Sequence, residues 1–299
     1  MLTGGHGEPV TEAEPLDDGL PTRSARDWAH FKLDIVECYV PAFSRACARA
    51  GQHYVVDAFA GPGVNRFEDG GLRWGTPLIA LKSSPAVGRV LALEADPTSR
   101  HALEQRTVRF GSRAVVEVGD ANRELLRLMD AHLDRRAPVL VVFDPEGTEL
   151  EFATVEDVSR WRQGNTKAEL LILLATHTGF LRMLWPDPPH WAPGRMDALY
   201  GTDRWRDIHR ARHEGAISTD EATTQYVRLY ADQLRRLGYG HVLDREIRMG
   251  GRSGRLGYFL LFASQHPGGK KIMSHCFDDR FGEEQQPQLF RDRRSRLDE

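Results

Sequence analysis

Between residues 53 and 176 the chain repeats one pattern: a short apolar run, an acidic or glycine-rich break, then an amphipathic stretch. The runs are HYVVDAF (53–59), VLALE (90–94), AVVEVGD (114–120), PVLVVFDPEG (138–147) and ELLILLAT (169–176). Runs that hardly alternate with polar residues are strands buried on both faces. The segments between them, 97–110, 121–136 and 153–162, have helical apolar spacing. This alternation predicts an α/β fold: a mostly parallel sheet with helices on both faces.

The flanking segments are more varied. Residues 26–50 place Trp28, Phe31, Ile35, Tyr39 and Phe43 at helical spacing and predict one or two helices, broken or kinked at Pro41. Residues 64–74 read as a loop. TPLIALKSS reads as a short helix with Thr76 as cap and Pro77 at its first position. Residues 180–215, with Trp185, Trp191, Trp205 and a run of Arg and His, form a helical insertion that serves equally well as a substrate lid or as extra packing. A helix over 223–238 ends at Gly238. HVLDREIRM (241–249) and RLGYFLLFAS (255–264), joined by GGRSG, predict a C-terminal antiparallel hairpin whose last strand lies against the parallel ones. Residues 267–286 receive no assignment. The domain reading is a disordered acidic leader (1–24), a single domain (25–286) and a polar tail (287–299).

Composition narrows the function classes. A net charge of -3 argues against a generally basic nucleic-acid surface, although Arg182, Arg195, Arg204, Arg206, Arg210 and Arg212 make the insertion locally basic. No apolar stretch is long enough to span a bilayer and the first residues have no signal-peptide core, so no membrane association and a cytoplasmic location are expected. Cys38, Cys47 and Cys276 lie far apart, in no metal-ligand spacing. They predict neither a metal site nor a disulfide framework, but buried apolar residues or surface thiols.

Open parallel sheets bind ligands beyond the carboxyl ends of their strands. The informative residues are therefore those at which the apolar runs stop. Asp57-Ala58-Phe59-Ala60-Gly61-Pro62-Gly63 is a glycine turn without the full GxGxxG fingerprint and without the Lys-Ser/Thr of a phosphate loop. Asp57 there repels phosphate and suits a cation. Glu94, followed by Ala95, offers two acceptors to a ribose diol. Asp120, with Ala121 and Asn122, is placed to meet an adenine edge. Each acid alone is equally well a turn or a helix cap. Together, in this order, they point to a S-adenosylmethionine pocket, with a nicotinamide dinucleotide as competitor because an acid after the second strand also suits NAD ribose. Asp144-Pro145-Glu146-Gly147 ends the fourth run near the expected methyl position. Asp144 and Glu146 are candidates to orient the acceptor or take its proton, or else hold the turn. His177 is a candidate base after the fifth run, and Lys32 a candidate to reach over the pocket from the leading helix.

With these residues in place, the chain resembles the three-Cys-motif partner (TcmP-like) family of class I methyltransferase-like proteins. The resemblance is carried by Lys32 with Tyr39, YVVDAFAGPG (54–63), GTPLIAL (75–81), LALEAD (91–96), GDAN (119–122), VVFDPEG (141–147) and GRLGYFLLFASQHP (254–267). It implies a Rossmann-like class I methyltransferase fold and association with a radical-type protein bearing a three-cysteine cluster. The motif order is also similar to that of nucleic-acid adenine methyltransferases, but Glu146-Gly147 stands where those carry a proline and an aromatic that stacks on the flipped base. The expected activity is methyl transfer from S-adenosylmethionine to a small molecule or modified peptide. RNA or nucleotide methylation and a non-catalytic partner subunit are the alternatives.

Overall fold

A computed structural model describes residues 17–26, 29–175, 192–249 and 255–281. Its core is a seven-stranded sheet of β2 (Tyr54–Asp57), β5 (Arg89–Glu94), β6 (Ala114–Val118), β7 (Val139–Phe143), β8 (Glu169–Ala175), β9 (His241–Met249) and β10 (Arg255–Ser264), in the order β6-β5-β2-β7-β8-β10-β9. The first five in that row are parallel. β10 runs antiparallel to β8 and to β9, so the hairpin closes the sheet as its sequence predicts. This is the Rossmann-like class I methyltransferase fold.

Successive side chains explain the apolar runs. Val55, Leu140, Val142, Leu171 and Leu173 point into one core and Val56, Val141, Phe143, Leu170 and Ile172 into the other. On the first face lie α1 (Ala29–Cys47), α2 (Thr76–Lys82) and the helix Pro267–Phe281. On the second lie α4 (Ala121–His132) and α5 (Phe152–Trp161), while α3 (Pro97–Thr107) packs at the β5–β6 end. The chain leaves β2 toward β5 on one side and returns to β7 on the other. β2 is thus the switch point, where an open sheet leaves a crevice.

Several expectations are corrected. Pro41 does not break the leading helix: α1 runs on through it, held by the buried Tyr39, Val40 and Phe43 on either side. Residues 64–74 are not a loop but a hairpin of β3 (Val64–Phe67) and β4 (Leu72–Trp74). β3 also pairs in parallel with β1 (Arg23–Ala25), which begins within the last two residues of the expected disordered leader. The end of that leader is fastened: Arg106 Nε and Nη2 donate to Asp18 at 2.7 Å each, and Nη1 donates to the carbonyls of Pro21 and Pro62. Gly75, not Thr76, occupies the cap of α2. The unassigned C-terminal stretch is largely a helix, and Cys38 on α1 is disulfide-bonded to Cys276 on it, with Cα atoms 5.8 Å apart. A separation of 238 residues hides such a pair from any reading of spacing.

Of the insertion, α6 (Ala192–Tyr200) and α7 (Trp205–His213) pack on α5 and on α8 (Thr219–Arg236), burying Met196, Leu199, Tyr200 and Trp205 in the second core. The described part is packing over a helical face. Trp185 and Trp191 lie outside the described residues. No helix among the described residues is long and apolar enough to cross a membrane.

Candidate cofactor and acceptor site

At the carboxyl ends of β2, β5, β6 and β7 lies a cavity of about 400 Å³, the size of a small-molecule site. Phe59, Gly61, Pro62, Glu94, Ala95, Asp120, Ala121, Asn122, Asp144 and Glu146, all expected from the sequence, line it together. Asp57, Ala60, Gly63 and Lys32 line a narrow recess beside it, which shares Arg23, Phe59, Pro62 and Asp144.

The glycine turn and the second acid form one unit. Gly61 N donates to Glu94 Oε2 at 2.7 Å, and Asp96 N donates to Glu94 Oε1 at 2.8 Å. One carboxylate thus ties the end of β5 to the turn after β2. Gly61 and Gly63 both have positive φ, 61° and 86°, which explains glycine at each. Their free faces differ. A Cβ on Gly63 would lie 2.7 Å from Leu103 Cδ1, so bareness there serves packing against α3 rather than ligand approach. A Cβ on Gly61 would sit 3.6 Å from Arg23 Cδ, under the N-terminal strap.

Asp120 caps α4, accepting from Asn122 N at 2.8 Å. The Asn122 side chain is committed elsewhere: its Nδ2 donates to Glu149 O, and its Oδ1 accepts from Glu151 N and Thr154 Oγ1. It fixes the segment after β7 to the start of α4, with Ala121 and Asn122 lining the cavity.

The deep end of the site is charged and dry. Asp57 is 3% exposed and accepts from Phe59 N at 3.0 Å. Burial, with the Asp144 charge beside it, pushes its carboxyl up to about 7, while the Phe59 amide, Lys32 and Arg23 pull it down. Lys32, itself 6% exposed, donates to Asp144 Oδ2. Lys32 therefore reaches its carboxylate from within the protein, not across the open pocket. Arg23 Nη1 stands 3.6 Å from the same oxygen, and its Nη2 lies 3.3 Å from Glu146 Oε1. Two cations share Asp144, which makes it an anchor for the turn more than a free base. Glu146 is mostly exposed at the mouth. His177 lies outside the described residues.

Sequence reasoning missed Arg23 and Tyr258. Arg23 sits in a segment whose composition reads as disordered, and nothing local marks it. Tyr258 carried a usable signal. In an antiparallel hairpin the start of β10 comes to the carboxyl ends of the parallel strands, and Tyr258 indeed pairs with Ala175. Burial, with the Asp144 charge nearby, raises its phenol well above the usual range.

No family model and no curated protein matches the sequence. Among solved structures, the chain is similar to the protein LPL1258 from Legionella pneumophila, with 10% identity, a TM-score of 0.49, and 85% of this chain and 94% of that one covered. It is similar to a precorrin-6y C5,15-methyltransferase from Geobacter metallireducens at 13% identity and a TM-score of 0.39, covering 84% and 96%. Trm1 from Pyrococcus horikoshii, solved with S-adenosyl-L-methionine, gives 14% identity and a TM-score of 0.39, over 81% of this chain and 58% of that one. Likenesses this distant concern the fold alone.

Proposed function

We propose that the chain is a S-adenosylmethionine-dependent methyltransferase acting on a small molecule or modified peptide. The observation that supports this most is the joining of three strand-end acids and a glycine turn around one cavity, with Glu94 bonded to the Gly61 amide. The donor set fits the cofactor. Glu94 would take the ribose hydroxyls, Asp120 and the Ala121–Asn122 backbone the adenine, and Asp57 the cationic methionyl end, through water or directly. S-adenosylmethionine supplies a methyl group made electrophilic by its sulfonium. The protein's part is to hold the acceptor in line with that methyl and accept any proton released. Glu146 at the mouth would receive it, while Lys32 and Arg23 hold the Asp144 carboxylate in position.

The acceptor class follows from charge. Glu94, Asp96, Asp120, Asp144, Glu146 and Glu149 line the cavity against Arg23. Such a mouth disfavours a phosphate-rich acceptor. The insertion's arginines are partly committed within the fold: Arg206 makes a two-pronged pair with Asp197, and Arg210 pairs with Asp207. Association with a three-cysteine-cluster protein remains part of this proposal on the sequence resemblance.

Calorimetric titration with S-adenosylmethionine, S-adenosylhomocysteine and NAD tests the reading, with Asp57→Ala as control. Micromolar binding of the sulfur ligands, lost in the variant, supports it. A folded protein that binds neither sulfur ligand sinks it, and NAD binding in their place would turn the site into a dinucleotide pocket.

A further inference from the structure

A second cavity, about 640 Å³, opens at the opposite end of the sheet. Its residues include Val139 and Glu169 at the starts of β7 and β8 and Ser264 at the end of the antiparallel β10. Its apolar wall is Tyr39 and Phe43 from α1 and Ile272 from the C-terminal helix.

Among the described residues, Glu169, Arg162 and Lys167 in this cavity, which Arg49 and His266 also line, form no direct ion pair. Glu169 lies at its floor, accepting from Tyr39 Oη at 2.6 Å and Ser264 Oγ at 2.7 Å. Both donors are neutral, and among the described residues no cationic group comes within 4.0 Å of its carboxylate. Gly269 makes room for it, since a Cβ there would lie 2.1 Å from Glu169 Oε1. Arg162 and Lys167 line the same cavity, and neither meets a carboxylate. Arg162 donates to the carbonyls of Lys167 and Arg136, and its Nε is buried with no partner. Lys167 donates to the Ser159 carbonyl. Burial raises the Glu169 carboxyl, against the pull of its two hydrogen bonds and of the more distant His266 and Arg162, and burial lowers Arg162 and Lys167.

Opposite charges that line one cavity without a direct ion pair are complementary to a ligand carrying both. We propose that this cavity is a second binding site, separate from the cofactor site, for a small apolar aminocarboxylate. Its ammonium supplies the counter-charge for Glu169, its carboxylate meets Arg162 and Lys167, and its apolar body lies on Tyr39, Phe43 and Ile272. A lone amine would meet the cations unshielded, and a lone acid would meet Glu169. The site is linked to the first by α1. Tyr39 holds Glu169 at one cavity, and Lys32, two turns earlier on the same helix, holds Asp144 at the other.

The probes are L-phenylalanine, phenethylamine and 3-phenylpropionate, titrated calorimetrically into the full chain. Phenylalanine is expected to bind, at least tenfold more tightly than either single-charge analogue. Glu169→Gln and the cavity-filling Ala46→Trp should each weaken it tenfold or more, and Asp57→Ala should leave it unchanged. Ala46→Trp spares the polar floor, so it keeps the test open if Glu169→Gln fails to fold. No saturable binding up to about 10 mM overturns the proposal. So does binding indifferent to Ala46→Trp, or an analogue matching phenylalanine. Because Asp57→Ala acts only on the first cavity, failure here and failure of the methyltransferase reading are separate results.

Discussion

Lys32 donates to Asp144 across 112 residues of sequence, with both side chains almost fully shielded from water. The pair joins the leading helix to the turn after β7 and sets the back wall of the candidate site. Removing Lys32 leaves the buried Asp144 carboxylate with only the looser Arg23 contact at 3.6 Å, and a buried charge that loses its main partner is costly. Lys32→Met is therefore expected to cost about 3 kcal/mol in urea unfolding, and Lys32→Met with Asp144→Leu to recover much of that loss. A double variant no more stable than the single one would show that the pair is not coupled this way.

Asp57 should give the fold a pH dependence of its own. Its carboxyl is pushed up to about 7 from an ordinary 3.8, so the folded chain holds this proton more tightly than the unfolded chain. The contribution is present in full below pH 4, falls as pH rises toward 7, and is flat beyond that. Comparison of wild type with Asp57→Asn isolates it, with a difference on the order of 4 kcal/mol between the two ends of the window. A cation bound beside Asp57 favours its charged form. Cofactor binding near neutral pH should then release a proton, seen as a dependence of the calorimetric heat on buffer ionisation enthalpy. Parallel stability curves for the two proteins would remove the basis of both expectations.

The N-terminal strap hangs on Arg106, whose guanidinium holds Asp18 and the carbonyls of Pro21 and Pro62, and which keeps the Asp18 carboxyl below its usual range. Arg106→Leu should release the strap, and Arg23 with it. Trypsin should then cut after Arg23 or Arg26 faster than in the wild type, and affinity for S-adenosylmethionine should fall because the Pro62 carbonyl loses its donor. Unchanged cleavage, followed by mass spectrometry, would mean that the β1–β3 pairing holds the strap alone.

The Cys38–Cys276 bond ties α1, and so Lys32 and Tyr39, to the C-terminal helix. Replacing both cysteines by serine is expected to lower stability by about 2–4 kcal/mol. Reductant should bring the wild type down to the double variant and leave the variant unmoved. A wild type insensitive to reductant would mean that the two thiols are not joined in solution.

The sequence by itself determined the sheet and the floor of the site. A strand buried on both faces must be apolar throughout, so β2, β5, β7 and β8 stand out without any partner, the half-buried edge strand β6 follows from the same alternation, and the acids at their ends fall at the ligand edge of a parallel sheet. The GGRSG stretch between the β9 and β10 sequences made the closing hairpin legible in the same local way. Other features depend on where distant segments meet. Arg23 is an ordinary residue in a polar leader until β3 pairs with its strand. Lys32 reads as a surface lysine until α1 crosses the end of β7. Cys38 and Cys276 are isolated until two helices pack, and Glu169 is one more polar residue at a strand start until the C-terminal helix closes over it. Periodicity and turn chemistry are short-range and written along the chain, whereas burial of a charge and the partner that answers it are properties of packing, which only the tertiary structure decides.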